Sequence, residues 1–243
     1  MKLFGLIGKN LSHSFSAEWF NAKFREEGID AVYKNFMLSS VEEFTSLSKE
    51  NELAGLNVTI PFKKVIIPFL NEIEESAKKT GAVNTIKFLD SENKFTKGYN
   101  TDYLAFSETI RPLLGNRKKA LILGTGGAAF AVKAALEDLM IPSDFVSRLP
   151  GEKRYIYTEL NQEIMKEYLL IINCTPLGMY PDVSSFPPIP YQYINSSHLV
   201  YDLIYNPEET LFLSKAKEAG AKVKNGRDML IRQAELAWEI WNQ

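Results

Sequence analysis

Between Lys119 and Leu139 the chain reads KALILGTGGAAFAVKAALEDL, a segment with little choice of local structure. Ala120 to Leu123 is a continuous apolar run, the pattern of a strand buried on both faces. Gly124, Gly126 and Gly127 follow at once, and good helix formers run from Ala128 to Leu139. Strand, glycine turn and helix in that order bring backbone N–H groups to a helix N-terminus, where a phosphate can be held. Glycine suits the turn because the chain bends sharply and a ligand must approach the backbone closely. Ala129 stands at the third glycine of G-x-G-x-x-G, a replacement the pattern allows. Glycines after a strand also mark ordinary turns, so the flanks decide.

On the N-terminal side, a strand from Leu3 to Ile7 ends in Gly8, and a polar loop, Asn10 to Ser16, follows with three serines. Ser16 is placed to cap a helix that turns Trp19, Phe20 and Phe24 inward and closes at Gly28. Ser14 has no such capping role to explain it. Further strands are expected over Val32–Leu38 and Leu53–Val58, with a helix over Val41–Lys49 between them. Alternating strands and helices predict a mostly parallel sheet, with ligands beyond its carboxyl edge. At that edge stands Asn57-Val-Thr-Ile-Pro-Phe-Lys63, in which Thr59 and Lys63 flank a proline that stiffens the loop. A surface lysine is usually a solvated charge. Lys63 differs because it follows a buried strand and abuts Pro61-Phe62.

Thr85–Leu89 and Lys94–Tyr99 alternate around the turn signal Asp90-Ser-Glu-Asn93, which marks a hairpin. Asn100-Thr-Asp102 then opens a helix, and Asp102 in its first turn complements the helix dipole. Asn84, Asn100 and Asp102 are also polar groups of the kind that hold a polyhydroxylated ring. Past the glycine segment, strands are expected at Asp144–Val146, Leu169–Ile172, Leu199–Leu203 and Val223, with a helix over Thr210–Ala219. Gly226-Arg-Asp-Met229 starts a last helix in which Gln233 sits among apolar residues. An unpaired amide there is costly, so Gln233 either bonds to backbone or points into a cleft.

Composition narrows the classes. With 24% charged residues and a formal net charge of -2, there is no electrostatic case for nucleic acid. Leu3 to Gly8 is too short for a signal-peptide core, and no later run approaches a membrane span. One cysteine, Cys174, excludes an internal disulfide and fits a reducing compartment; with His13 and His198 it makes a poor stock for zinc. The expectation is a cytoplasmic, metal-free protein, a monomer or homodimer.

In order along the chain, Ser12-His-Ser-Phe-Ser16, Asn57-Val-Thr-Ile-Pro-Phe-Lys63, Gly81-Ala-Val-Asn-Thr85, Asn100-Thr-Asp102 and Gly124-Thr-Gly-Gly-Ala128 form one set with three later motifs. These are Ile172-Asn-Cys-Thr-Pro-Leu-Gly-Met179, Tyr201-Asp-Leu-Ile-Tyr-Asn-Pro207 and Met229-Leu-Ile-Arg-Gln233. The set resembles the shikimate dehydrogenases and covers essentially the whole chain. The resemblance implies NADPH-dependent reduction of 3-dehydroshikimate to shikimate, in the route to chorismate and the aromatic amino acids. It implies an α/β fold of two domains with the active site in the cleft between them. A substrate domain over residues 1–100 would be completed by the C-terminal helix 226–243, beside a Rossmann-like NADP-binding domain over 101–225.

By the same resemblance, Ser14 and Ser16 would bind the substrate carboxylate with help from Tyr205. Thr59, Asn84 and Gln233 would bind ring hydroxyls, and Lys63 with Asp102 would form the catalytic pair. The cofactor would be held by Gly124, Thr125, Gly126, Gly127 and Ala128, by Ser147, Arg148 and Lys153, and by Thr175, Gly226 and Met229. NAD-specific Rossmann units carry Asp or Glu about 20 residues beyond the glycines. Here Ser147-Arg148 occupies that place, and arginine offers a 2′-phosphate a planar, permanently charged fork. The family's second basic residue, four after the arginine, is Glu152 here, with Lys153 and Arg154 just beyond. Ala17, Phe20 and Phe130 also depart from the family pattern, where proline, histidine and a basic residue are usual. Within the family a quinate/shikimate dehydrogenase is the alternative, which Ser16 disfavours because threonine there would suit quinate. Outside it, a non-catalytic redox sensor has no need of Lys63 with Asp102, and a structural module has no need of polar clusters at several strand ends.

Overall fold

The computed structural model describes residues 1–11, 14–90, 95–152 and 154–243. The chain divides into two compact units, one of Met1–Thr101 with Gln233–Gln243 and one of Asp102–Arg232.

The first unit begins with β1 (Lys2–Gly8), α1 (Phe15–Glu26), β2 (Ala31–Met37), α2 (Glu43–Glu50) and β3 (Leu53–Val58). β1 lies between β2 and β3, parallel to both. There follow β4 (Glu72–Ile73), α3 (Glu75–Thr80), β5 (Thr85–Phe88) and β6 (Thr96–Tyr99). β5 pairs antiparallel with both β3 and β6, so the sheet is mixed where strand–helix alternation predicts a mostly parallel one. The cause is local: β5 and β6 are joined by a short connection, and parallel neighbours need a crossover. The expected hairpin is present, and Ser91 to Lys94 of its turn lie outside the described residues.

Alternation along β1 sends Phe4 and Leu6 to one face of this sheet and Leu3 and Ile7 to the other. On the first face Phe20 and Phe24 of α1 meet Phe4, Tyr33, Trp238 and Trp241. Phe20 stacks on Tyr33 with ring centroids 4.8 Å apart, and Trp241 lies 4.8 Å from Phe4. Trp241 Nε1 donates to the Ile86 carbonyl at 3.0 Å, so the chain's end is fixed to the sheet by a directed bond. Gly55 makes that possible, since a Cβ there would stand 2.2 Å from Trp241 Nε1.

The second unit takes in α4 (Thr101–Ile110) from its second residue, then β7 (Ala120–Leu123), α5 (Gly127–Asp138), β8 (Ser143–Ser147), β9 (Arg154–Ile156) and α6 (Gln162–Glu167). β10 (Leu170–Asn173), β11 (Leu199–Asp202), α7 (Leu211–Glu218), β12 (Lys222–Lys224) and α8 (Arg227–Asn242) complete the chain. The sheet order is β12-β11-β10-β7-β8-β9, parallel throughout. Every residue of β7 is buried, as its unbroken apolar run requires. Strand order reverses between β7 and β10, the switch point beyond which such sheets bind ligands. Among the described residues no helix is long and apolar enough to cross a membrane.

Trp19, Trp238 and Trp241 all belong to the first unit, so tryptophan fluorescence reads its unfolding. Gly55→Ala should destabilise that unit by about 2 kcal/mol or more, the scale of overpacking a close-packed site. Urea unfolding followed by fluorescence measures it, and an unmoved midpoint would show that Trp241 swings aside at no cost.

Candidate active site

The loop after β1 leads into α1 through Ser14, not Ser16. Ser14 is extended, and its hydroxyl accepts from the Ala17 N–H at 3.3 Å, so Ser14 is the cap. The capping role read for Ser16 is therefore corrected: Ser16 lies within the first turn, and its hydroxyl hydrogen-bonds Tyr33. Helix register decides this, because α1 starts at Phe15, two residues earlier than a Ser16 cap requires. Ser12 and His13 of the same motif lie outside the described residues.

Tyr33 is 2% exposed, and burial pushes its hydroxyl well above the ordinary value while the Ser16 bond pulls it back. The Tyr33 hydroxyl donates to Asn57 Oδ1 at 2.8 Å, and Asn57 Nδ2 reaches Thr85 Oγ1 at 3.2 Å and the Asn84 carbonyl at 3.3 Å. Asn84, 3% exposed, donates Nδ2–H to Thr101 Oγ1 at 2.9 Å, while its Oδ1 accepts from the Thr101 N–H at 2.7 Å. Asp102 is the next residue, in the first turn of α4. Asn100 adds a second tie, from Nδ2 to Thr80 Oγ1 at 2.8 Å and the Ala82 carbonyl at 2.9 Å.

Lys63 belongs to the same neighbourhood through its backbone, for its carbonyl accepts from the Val83 N–H at 2.7 Å. Thr59 opens that loop: its N–H donates to Ile7 at 2.9 Å and its carbonyl accepts from Phe62 at 2.9 Å. The ends of β1 and β3 thus bring Ser16, Thr59, Lys63 and Asn84 into one hydrogen-bonded edge of the first unit. Gln233 begins the C-terminal piece of that unit and is half-buried, a setting fitting either of its two expected roles.

In the second unit the glycine turn joins β7 to α5. Gly124 has φ +102, a region that favours glycine, and a Cβ there would meet Thr175 Cγ2 at 3.0 Å. Thr125 is exposed, and around Gly126 and Gly127 no described atom beyond the adjoining residues and the helix's own backbone comes within 4 Å of where a Cβ would stand. Among the described residues no side chain caps α5, whose N-cap is Gly126, with Ala128 in the first turn. A bare helix start with open space over two glycines fits a pyrophosphate. Ser147, buried at the end of β8, donates its hydroxyl to the Leu149 carbonyl. Arg148 is exposed beside it, and its charge opposes the burial that pushes the Tyr157 hydroxyl to about 12. Lys153 lies outside the described residues.

Thr175 is held by Asn173, whose Oδ1 accepts from the Thr175 N–H at 3.0 Å and its hydroxyl at 2.6 Å. Asn173 Nδ2 donates in turn to Asp202 Oδ1 at 3.0 Å. Burial pushes the Asp202 carboxyl up to about 6 despite bonds from Thr210, Ile204 and Asn173. Against an ordinary carboxylate value of about 3.9, the folded protein keeps a proton that the unfolded chain releases; this group's contribution to stability falls as pH rises from about 4 to about 6. Burial and Asp202 push the Cys174 thiol well above its ordinary value, which keeps it protonated and unreactive. Gly226 is required by contact, since a Cβ would stand 2.1 Å from the Leu203 carbonyl oxygen. Met229 is buried in the first turn of α8, and Tyr205 is exposed in the segment after β11. Tyr33, Asn57, Thr101 and Asp202 have no site role in the sequence reading. The available signal was polarity inside apolar strand runs, as with Asp202 after Leu199-Val-Tyr201.

Comparison with known proteins agrees over most of the chain. The family described as shikimate dehydrogenase substrate binding domain matches residues 6–86. Shikimate dehydrogenase (NADP(+)) of Methanococcus maripaludis is 40% identical over 258 residues, covering 99% of this chain and 91% of that one. The crystal structure of the Thermus thermophilus shikimate 5-dehydrogenase in complex with NADP(H) and shikimate superposes with a TM-score of 0.85 at 29% identity, covering 99% of this chain and 93% of that one. Quinate dehydrogenase of Corynebacterium glutamicum in complex with NAD has a TM-score of 0.87 at 25% identity, covering 99% and 93%.

Ser14→Ala removes the α1 cap and should cost about 1 kcal/mol. Ser16→Ala leaves the cap in place and should cost less, since it removes a partner of an already bonded Tyr33 hydroxyl. Thermal unfolding of the two single variants tests the assignment, and a larger loss for Ser16→Ala would reverse it.

Proposed function

The chain belongs to the shikimate dehydrogenase family, and from that premise we propose that it catalyses the reversible, NADPH-dependent reduction of 3-dehydroshikimate to shikimate. It is an NADP-dependent oxidoreductase acting on a CH–OH group. The observation that carries this reading is the presence on one chain of two site edges. One is the Ser16–Thr59–Lys63–Asn84 edge, and the other is an open glycine turn before α5 with Arg148 at the end of β8. A cytoplasmic location, a step toward chorismate and the aromatic amino acids, and a monomer or homodimer complete the reading. The single cysteine supports a reducing compartment.

In this reading Ser14 and Ser16 bind the substrate carboxylate, assisted by Tyr205, and Thr59, Asn84 and Gln233 bind ring hydroxyls. Ser14 can do both tasks, since its cap uses the hydroxyl oxygen as acceptor and leaves the proton to donate. The backbone amides from Gly124 to Ala128, with Thr175, Gly226 and Met229, would hold NADP, and Ser147, Arg148 and Lys153 would face its adenosine end. When bound, the nicotinamide supplies a hydride to the substrate's carbonyl carbon. Charge then builds on the C3 oxygen, where the Lys63 ammonium stabilises it and holds the proton it takes up. Asp102, the other member of the proposed pair, accepts from the neighbouring hydroxyl. Asn84 serves this step indirectly as well, because its bonds to Thr101 fix the residue before Asp102.

NADP-linked oxidation of shikimate, assayed beside quinate and with NAD as the alternative cofactor, tests the reading directly; quinate turnover exceeding that of shikimate would overturn the substrate assignment. Lys63→Ala should lower kcat by about a hundredfold or more, far beyond its effect on KM. Asp102→Asn should behave similarly, and a variant with near-normal kcat would remove its residue from the pair.

Arg148→Ala should raise KM for NADP severalfold while leaving that for NAD nearly unchanged. Equal losses with both cofactors would mean that Arg148 acts through stacking or folding.

A further inference from the structure

Asp202 ends β11 at 0% exposure and, in the reading above, touches neither substrate nor cofactor. Its carboxylate is nevertheless surrounded by donors. Oδ1 accepts from Asn173 Nδ2 at 3.0 Å and from the Ile204 N–H at 3.1 Å, and Oδ2 accepts from Thr210 Oγ1 at 2.7 Å. Each donor leads to a different segment at the carboxyl edge of the sheet. Asn173 holds both the N–H and the hydroxyl of Thr175. The Ile204 carbonyl accepts from the Gly226 N–H at 3.0 Å. Thr210 caps α7, its Oγ1 accepting from the Leu213 N–H at 3.3 Å, and so anchors the far end of the segment that carries Tyr205.

We propose that Asp202 is a positioning residue: its carboxylate fixes the segments bearing Thr175, Tyr205 and Gly226 in the arrangement that receives the cofactor. This rests on the assignment of those residues to the site. The chemistry requires an acceptor-only group, because three donors converge on two oxygens. A neutral amide of the same shape turns a donor toward one of them, and a buried donor facing a donor is costly. Cys174 and Tyr191 are the titratable groups that feel this charge, and burial together with Asp202 raises both, so neither competes as a proton source or counter-charge. Nothing in the catalytic step calls for a carboxylate here, whereas the geometry of three segments does.

Asp202→Asn keeps the volume and replaces one of the two acceptor oxygens with a donor. Calorimetric titration with NADP+ should show affinity falling about tenfold or more. In turnover, KM for NADP should rise by a similar factor with kcat changed less, a split that general loosening would not produce. Asn173→Asp combined with Asp202→Asn restores a donor–acceptor pair between the two positions and should recover part of the lost affinity. If Asp202→Asn does not fold, Thr210→Val carries the test, with a threefold or greater weakening expected. Wild-type affinity in the variant that folds, or no recovery in the swapped pair, would overturn the inference. A wild-type protein that binds no NADP+ would remove the site assignment and this inference together, whereas wild-type binding matched by Asp202→Asn removes the inference alone.

Discussion

The carboxamide of Asn84 is the interaction on which the first unit's polar edge depends. Its residue lies just before β5, with its N–H on the Tyr99 carbonyl and its own carbonyl accepting from the Val58 N–H. The side chain then reaches Thr101 with both of its ends. Strands β3, β5 and β6 and the start of α4 are joined at one residue. An amide supplies a donor and an acceptor from one planar group; an aspartate would keep the acceptor for the Thr101 N–H but lose the bond now donated to Thr101 Oγ1. In a site this dry, each unmet bond costs the desolvation of its partner, so the cluster holds as a whole or fails as a whole.

The second unit solves a similar problem with a charge. Its sheet is parallel and buried, and such strands offer few polar side chains with which to organise the loops beyond them. One carboxylate at the end of β11 gathers three donors, and burial opposes its ionisation enough to bring its pKa to about 6. The glycine turn has the opposite character. Gly124 packs against Thr175 under its left-handed backbone, while Gly126 and Gly127 face open space. A fixed floor and an uncovered rim are what a ligand needs if backbone amides are to reach it.

Long apolar runs were the most legible part of the sequence. β3 and β7 have the boundaries that Leu53–Val58 and Ala120–Leu123 predict, because a strand buried on both faces writes itself as a run with hard ends. Short elements left no such trace. β4 has 2 residues, and α3 and α6 have 6 each, less than the window over which a 3.6-residue period can be seen. β9 begins beside Lys153 in a polar stretch and depends on pairing with β8 for its existence. The cap of α1 was misplaced by two residues because Ser14 and Ser16 are both good caps, and only tertiary packing of Phe20 and Phe24 sets the register. The edge residues Lys63, Thr59 and Asn84 were legible as motif members, but the ties that hold them, through Tyr33, Asn57 and Thr101, cross 24 residues or more in some cases and no local pattern announces them.

The first unit is discontinuous: Met1–Thr101 is completed by Gln233–Gln243, which bring Ala234, Ala237, Ile240 and Trp241 into its aromatic core. The Trp241 bond to Ile86 spans 155 residues. On the ribosome, where chains ordinarily fold from the N-terminus onward, every residue of the second unit emerges before Gln233 does. The unit that starts first therefore finishes last. Until Gln233–Gln243 emerge, the face carrying Phe4, Phe20 and Phe24 stays open for want of that segment, and a nascent chain stalled near Arg232 exposes the apolar surface that chaperones bind.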